Sequence, residues 1–378
     1  MQILTERTER PRSMPPADTL GFGKYYADHM FVMDYNAEGG WHSPRIVPFR
    51  PFSFDPSSLV LHYGQSVFEG LKAYRWQDGS VRIFRRDDHV ERLARSAERL
   101  MMPSFDLDLV ADSWNRLVDL DRHWVPSVPG TALYLRPTII ATENMLGVRA
   151  ADEYRMFVIT SPVGSYYARG MAPTRILVEE QYARVPEGGT GAAKTAGNYA
   201  ASLKASAEAK QKGYDQVLWL DAKEHRYVEE VGTMNIFFRI GDRLVTPPLG
   251  GTILDGITRR SVLQLARDWG IDAVEEPVDI EEIIAGIRSG EVTEAFGSGT
   301  AAVISPIGVL GWRGEEIALS EPENSLRQRL YTAITDIQYG RADDLHSWCA
   351  EVPEAAAHMN GNGHGAPVVE GEIEEDNG

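Results

Sequence analysis

Short β-like runs alternate with amphipathic helical stretches through the middle of the chain. Runs rich in β-branched and aromatic residues predict strands over Val81–Phe84, Ala132–Leu135, Met156–Thr160, Arg175–Val178, Gln216–Leu220, Asn235–Ile240 and Leu244–Thr246. Gly241-Asp242, between the last two, reads as a hairpin turn. Helical spacing is plainest at Val90, Leu93, Ala94, Ala97, Leu100 and Met101, with Asp87 or Asp88 placed to cap the first turn. A second helix is expected from Tyr199 to Lys212, stopping at Gly213, and a third from about Arg259 to Trp269, stopping at Gly270. No internal repeat is visible.

A length of 378 residues suggests two domains. The stretch Ser165–Thr174, with Gly170 and Pro173, is the candidate linker, which divides a domain at 21–165 from one at 175–350 with residues 166–174 between them. The first 20 residues are polar and contain three prolines, so a flexible segment is expected, and Glu6 and Glu9 argue against a transit peptide. Residues 351–378 hold seven acidic side chains, no basic ones and five glycines, the composition of a disordered tail. The net charge of −17 argues against nucleic acid as a partner, although the tail supplies much of it. No apolar run exceeds four residues, so a membrane span is not expected. Cys349 is the one cysteine, which excludes a disulfide framework and a Cys-rich metal site. A cytoplasmic enzyme is the expectation.

Candidate chemistry concentrates in a few segments. In Gly188–Ser202 (GGTGAAKTAGNYAAS), small residues clear the space around Lys194. A solvated lysine needs no such clearing, whereas one that forms a Schiff base with a flat cofactor does. In EEVGTMNIFF (229–238), Glu229 and Glu230 end one apparent strand before Gly232, where a fixed carboxylate could pair with a pyridinium nitrogen. Gly256-Ile257-Thr258 precedes a helix whose N-terminal N–H groups could hold a phosphate, and Arg92, off the apolar face of its helix, could reach the same phosphate. Each feature also has a plainer reading: a loop lysine, a turn carboxylate, an ordinary helix start, a solvated arginine. Tyr63, Phe68, Tyr166 and Tyr167 read most simply as core aromatics. Gly297–Ala302 matches a dinucleotide fingerprint, but Pro306 and Gly308 interrupt the helix that should follow, and Glu321 precedes a proline rather than ending a strand. The nine histidines show no metal-ligand spacing, so no metal is expected.

Taken together, the segments resemble the branched-chain amino acid aminotransferases, pyridoxal-phosphate enzymes of fold type IV. The matches are LHYGQSVFEGLKAYR (61–75), HVERLARSAERL (89–100), LYLRP (133–137), PVGSYY (162–167), GGTGAAKTAGNY (188–199), DQVLWLD (215–221), EEVGTMNIFF (229–238), LDGITRR (254–260) and FGSGTAA (296–302), with QYGR (338–341) closing the series. They run in order over roughly residues 20–349.

The resemblance implies an α/β (α+β) fold, a small α/β domain followed by a larger β-barrel-like α/β domain, with pyridoxal 5′-phosphate between them. It implies Lys194 as the Schiff-base lysine, Glu230 as the partner of the pyridine nitrogen and Tyr199 as the partner of the phenolic oxygen. Arg92, Ile257, Thr258 and Thr300 fall on the phosphate cup. Tyr63, Phe68, Tyr134, Arg136, Tyr166, Thr233 and Ala301 fall on the substrate pocket, with Gln216 nearby. Tyr134 and Arg136 are expected to reach the site of a partner subunit, so a homodimer at least is implied. The implied reaction is reversible amino transfer from leucine, isoleucine or valine to 2-oxoglutarate. Asp255 stands where the family commonly has proline, Ala196 where it has glycine, and Ala302 and Ser305 where vertebrate forms carry a CxxC pair. Rival readings are a D-amino acid aminotransferase, an aminodeoxychorismate lyase, or a silent binding protein of the same fold.

Overall fold

The computed structural model describes residues 1–164, 172–320 and 322–354. Strands β1 (Leu4–Thr5), β2 (His29–Asn36) and β3 (Gly40–Pro48) open the chain, followed by helix α1 (Leu59–Tyr63). Next come β4 (Ser66–Phe68), β5 (Leu71–Arg75), β6 (Val81–Phe84), helices α2 (Arg86–Arg99) and α3 (Leu107–Leu120), then β7 (Ala132–Ala141) and β8 (Glu153–Val163). The second half holds β9 (Thr174–Glu179), α4 (Ala196–Gln211), β10 (Gln216–Leu220), β11 (Val228–Val231), β12 (Met234–Ile240) and β13 (Arg243–Thr246). It continues with α5 (Ile257–Asp268), β14 (Ala273–Glu275), α6 (Ile280–Ser289), β15 (Val292–Gly299), β16 (Val303–Trp312), β17 (Glu315–Ala318), α7 (Leu326–Gln338) and β18 (Cys349–Glu351).

Two sheets result. The first runs β1-β3-β2-β8-β7-β5-β6-β18, with β4 beside β7. In β8 the buried residues Tyr154, Met156 and Val158 alternate with half-exposed ones, and α2 and α3 bury Leu93, Trp114 and Val118 in the same apolar cluster. The second sheet runs β11-β10-β9-β16-β15-β12, and β12 pairs back to β11. That pairing closes a six-stranded barrel and leaves no free edge within it. Helix α6, capped by Asp279 and ended at Gly290 (φ 84°), adds Ile280, Ile283 and Ile284 to the barrel's apolar cluster. A third cluster joins the sheets: Tyr74, Ala132 and Val163 of the first pack with Phe237, Phe296 and Leu330 of the second part. No helix of the described residues is long and apolar enough to cross a membrane.

Several expectations need correction. Asp87 and Asp88 lie inside the first turn of α2, whose N-cap is Arg85 with φ 52°. Met101 lies past that helix, at φ 57° and 74% exposed, because the chain has already turned left-handed there. Helix α4 starts at Ala196, three residues before Tyr199, and α5 at Ile257 rather than Arg259. The N-terminal segment, expected to be flexible, is fastened: β1 pairs with β3, Ile3 and Leu20 are buried, and Arg12 binds Asp28 at 3.0 Å. The expectation of a tail from residue 351 is corrected at its first residues, since Glu351 belongs to β18 and Val352 is 1% exposed. Most of the expected linker, residues 165–171, and residues 355–378 lie outside the described residues.

The packing of Val352 generates a first prediction. Its N–H donates to the Val81 carbonyl, and its own carbonyl accepts from Arg122, each at 2.9 Å. A buried valine contributes about 1.5–3 kcal/mol and each hydrogen bond about 0.5–1.5 kcal/mol. Truncation after Ala350 should therefore lower stability by on the order of 2.5–6 kcal/mol, read as a lower urea midpoint at unchanged slope. An unchanged midpoint would show that this segment does not hold the sheet edge.

Candidate active site

The lysine singled out by its small neighbours lies on the loop before α4, and its backbone is held from several sides. Gly191 passes so close to Thr252 that a Cβ there would sit 2.3 Å from the Thr252 carbonyl oxygen. Asn198 donates to the carbonyls of Thr190 and Ala193 at 2.8 and 2.9 Å. Strand β4 of the other sheet and helix α2 complete the grip. Phe68 N–H donates to the Lys194 carbonyl at 3.0 Å, Thr195 Oγ1 donates to the Ser66 carbonyl at 2.7 Å, and Lys194 N–H donates to Ser96 Oγ at 3.0 Å. The side chain enters a cavity of about 550 Å3 between the sheets. There its Nζ is 2.8 Å from Tyr199 Oη and 5.0 Å from the Phe68 ring centre.

Arg92 also reaches this cavity, but it is not the free arginine that its helix position suggests. It is 4% exposed, with Nε at 2.7 Å and Nη2 at 2.9 Å from the two oxygens of Glu69, and Nη1 at 3.1 Å from the Asp255 carbonyl. His89 Nδ1 is 2.7 Å from the same carboxylate. Burial alone would raise the Glu69 carboxyl, yet Arg92 and His89 outweigh it and hold the group far below the usual carboxylate range.

On the opposite wall Glu230, 4% exposed, accepts from Leu254 N–H at 2.8 Å, and Arg184 Nε lies 3.3 Å from its other oxygen. Burial raises its carboxyl above the ordinary value, against the pull of Arg184 and the Leu254 amide. Its neighbour Glu229 is raised by burial too. The floor is the start of α5, where Gly256 is the N-cap and no side chain caps the helix, so the N–H groups of the first turn remain open. Gly256 is sterically required, because a Cβ there would lie 1.8 Å from Asn235 Oδ1.

Lys194, Arg92, Tyr199, Glu230, Ile257, Thr258 and Thr300 all line the one cavity, together with Phe68, Tyr134, Arg136, Gln216, Thr233 and Ala301. The expectation that Tyr134 and Arg136 serve a partner's site is corrected: β7 places both in the cavity of their own chain, with Arg136 Nη2 donating to Tyr134 Oη at 2.9 Å. Tyr63 is the reverse case. It sits on α1, 43% exposed and outside the cavity, with its hydroxyl donating to the Leu146 carbonyl. Tyr166 lies outside the described residues. Gly297–Ala302 belongs to β15 and its turn into antiparallel β16, so the strand-to-helix setting of a dinucleotide site is absent there. Among the described residues, no cluster of metal-ligating side chains occurs. Sequence reasoning assigned no role to Glu69, Arg184, Ser96 or Asn198. A charged letter inside the apolar run SVFEGLKAY was the available signal for Glu69.

Residues 66–309 match the amino-transferase class IV family. Branched-chain-amino-acid transaminase 1 of Bacillus subtilis (strain 168) is 52% identical over 352 residues, covering 93% of this chain and 99% of that protein. The fold is similar to the branched-chain amino acid aminotransferase of Escherichia coli (TM-score 0.73, 26% identity, 86% of this chain and 99% of that one). It is similar also to the branched-chain amino acid aminotransferase of Thermobaculum terrenum in its PLP-bound holo-form (TM-score 0.70, 26% identity, 86% and 98%). The α/β fold with its closed barrel is thus that of the fold type IV aminotransferases. This chain belongs to the class IV aminotransferases and is an aminotransferase.

The Glu69–Arg92 pair generates the second prediction. Glu69→Gln leaves a buried guanidinium without its counter-charge and should cost about 3–5 kcal/mol at pH 7. The folded-state pKa is depressed, so the carboxylate's contribution is present above the unfolded value near 4.5 and lost as pH falls below it. The stability gap between wild type and Glu69→Gln should therefore narrow from about pH 4.5 downward. A gap constant from pH 7 to 3.5 in urea titrations would place the charge balance elsewhere.

Proposed function

We propose that this enzyme is a branched-chain amino acid transaminase, transferring the amino group reversibly from L-leucine, L-isoleucine or L-valine to 2-oxoglutarate with pyridoxal 5′-phosphate as cofactor. The observation that carries this reading is one cavity holding the Lys194 amine beside Tyr199 Oη, at 2.8 Å, and the buried carboxylate of Glu230. The names of the similar proteins support the substrate class. The donor set fits the cofactor: an amine for its aldehyde, an anion for its ring nitrogen, and Arg92 with open helix amides for its phosphate. Bound there, pyridoxal phosphate supplies an electron sink for charge left on the substrate Cα.

The protein's part is to hold and to move protons. Lys194 anchors the cofactor and then carries the Cα proton as general base and acid. Glu230, made more basic by burial, keeps a proton on the facing ring nitrogen. Tyr199 donates to the phenolic oxygen. Arg92, Ile257, Thr258 and Thr300 hold the phosphate. Phe68, Tyr134, Arg136, Thr233 and Ala301, with Gln216 at the edge, receive the substrate. Tyr166 joins them by the resemblance alone. We assign Tyr63 to a homodimer face, since Leu61, Leu146 and Val148 near it are 59%, 65% and 83% exposed. The single cysteine fits a cytoplasmic setting.

The spectrum of the purified, cofactor-loaded protein tests the whole reading. L-Leucine should shift its absorbance and 2-oxoglutarate should restore it, and borohydride reduction with peptide mapping should place the pyridoxyl label on Lys194. A label on another lysine would overturn the assignment.

Arg136 tests the acceptor. The second carboxylate of glutamate cannot enter an apolar pocket unpaired, and Arg136 Nε has no hydrogen-bond partner among the described residues. A charge-assisted hydrogen bond is worth about 1.5–3 kcal/mol, so Arg136→Ala should slow the glutamate half-reaction roughly 10- to 100-fold more than the leucine half-reaction. Single-turnover rates read each half separately, and equal losses would make Arg136 structural.

A further inference from the structure

The turn Thr300–Ala302, between β15 and β16, lines the cavity, and none of its three N–H groups finds an acceptor among the described residues. Its backbone is strained. Val303, which closes it, sits at φ 62°, a left-handed conformation that a β-branched residue adopts only at a cost of about 1–3 kcal/mol. A turn in that shape persists only where its surroundings hold it.

The opposite sheet supplies the hold. Lys72 of β5 reaches across, and its Nζ donates to the Ala301 carbonyl at 2.8 Å. Lys72 is 8% exposed and stands directly opposite Tyr134 in the β5–β7 ladder, so the two side chains rise from the same face. Among the described residues, no carboxylate acts on this amine as a counter-charge, and burial brings it down to about 8. An amine so placed, with a backbone carbonyl as its partner, is costly to bury for packing alone. The trans peptide then transmits the contact. Its C=O and N–H point in opposite directions, so a carbonyl tied to Lys72 turns the Ala302 N–H away from Lys72.

Resting on the transaminase reading, we infer that Lys72 is a positioning residue that fixes the Ala301–Ala302 peptide, so that the turn's N–H groups meet the carboxylate of the amino acid beside Tyr134. Lys72 does not line the cavity, so it acts on the substrate through the turn and not by contact. The role is distinct from that of Arg136, which lies within the cavity itself.

The test uses the full-length, cofactor-loaded protein and two probes, 4-methylvaleric acid and its amide, titrated through the cofactor absorbance. Both carry the leucine skeleton, but only the acid presents an anion to the turn. Lys72→Met, similar in length and apolar, should narrow the preference for acid over amide about tenfold, and Lys72→Arg should narrow it less. A purely structural role would lower the melting temperature and weaken both probes alike. A preference within about twofold of wild type in Lys72→Met, or equal weakening of both probes, overturns the inference. Should Lys72→Met fail to fold, Lys72→Arg carries the same comparison, and an unchanged preference there overturns it too. Wild-type protein that binds neither cofactor nor acid would instead overturn the transaminase reading, and the inference with it.

Discussion

Glu69 brings its charge where no water reaches, and both of its oxygens are occupied. One accepts from Arg92 Nε, and the other accepts from Arg92 Nη2, His89 Nδ1 and the N–H of Gly70. A buried carboxylate is tolerated only when it is matched so fully, and the match works in both directions. Arg92 loses its freedom to the same bonds, and its remaining nitrogen is aimed at the Asp255 carbonyl, immediately ahead of α5. The flanking residues extend the constraint. Phe68 holds the Lys194 carbonyl, and Gly70 leaves room for Tyr134, whose hydroxyl would lie 1.9 Å from a Cβ at that position. Three consecutive residues thus place the lysine, the arginine and the tyrosine of the site. A shift of one residue in β4 would misplace all three.

The facing wall is arranged by a different device. Adjacent residues of a regular strand point to opposite sides, yet Glu229 and Glu230 are both buried. The β10–β11 ladder pairs Trp219 with Glu230 and then Leu220 with Val228, so Glu229 is the extra residue of a bulge. The bulge re-aims the strand at the point where Glu230 takes the Leu254 amide and the Arg184 guanidinium. Arg184 moderates both carboxyls, which burial would otherwise raise further. The cavity therefore has a carboxylate-bound arginine on one wall and an arginine-bound carboxylate on the other. An anion and a ring cation can be received at opposite ends without either wall carrying an isolated charge.

Much of this was legible in the sequence because the chemistry forces unusual letters. Small residues around Lys194, the glycine ahead of Ile257 and the ordered run of motifs marked the site's parts, and period-2 and period-3.6 patterns placed its strands and helices. What escaped has physical reasons. The burial of Arg92, a residue the resemblance puts in the phosphate cup, escaped because it depends on Glu69, 23 residues earlier, and a long-range ion pair leaves no local pattern. The bulge at Glu229 cannot be seen in a sequence, since register belongs to the pair of strands. Composition marked residues 351–354 as tail, while the β18–β6 ladder, the buried Val352 and its two hydrogen bonds hold the start of that stretch. The side on which Tyr134 and Arg136 act depends on how β7 sits against β5, and pattern alone does not specify it.

On the proposed function, Arg136 would let one pocket meet two unlike demands. Its guanidinium lies 4.7 Å from the Phe68 ring centre and 5.3 Å from that of Tyr134, with Nη2 tied to the Tyr134 hydroxyl. A guanidinium against aromatic rings is weakly hydrated, and it offers flat faces poor in hydrogen bonding alongside an edge rich in donors. An aliphatic side chain can pack against the faces and the neighbouring Phe68 without stripping water from a strongly hydrated cation. A carboxylate can approach the donor-rich edge from the cavity that Arg136 lines. A lysine at this position would lose that division, because an ammonium is a compact, strongly hydrated charge with no apolar face. The aromatic neighbours therefore do more than line the pocket: they hold the charge in an orientation that leaves an edge for an anion and a face for a hydrocarbon.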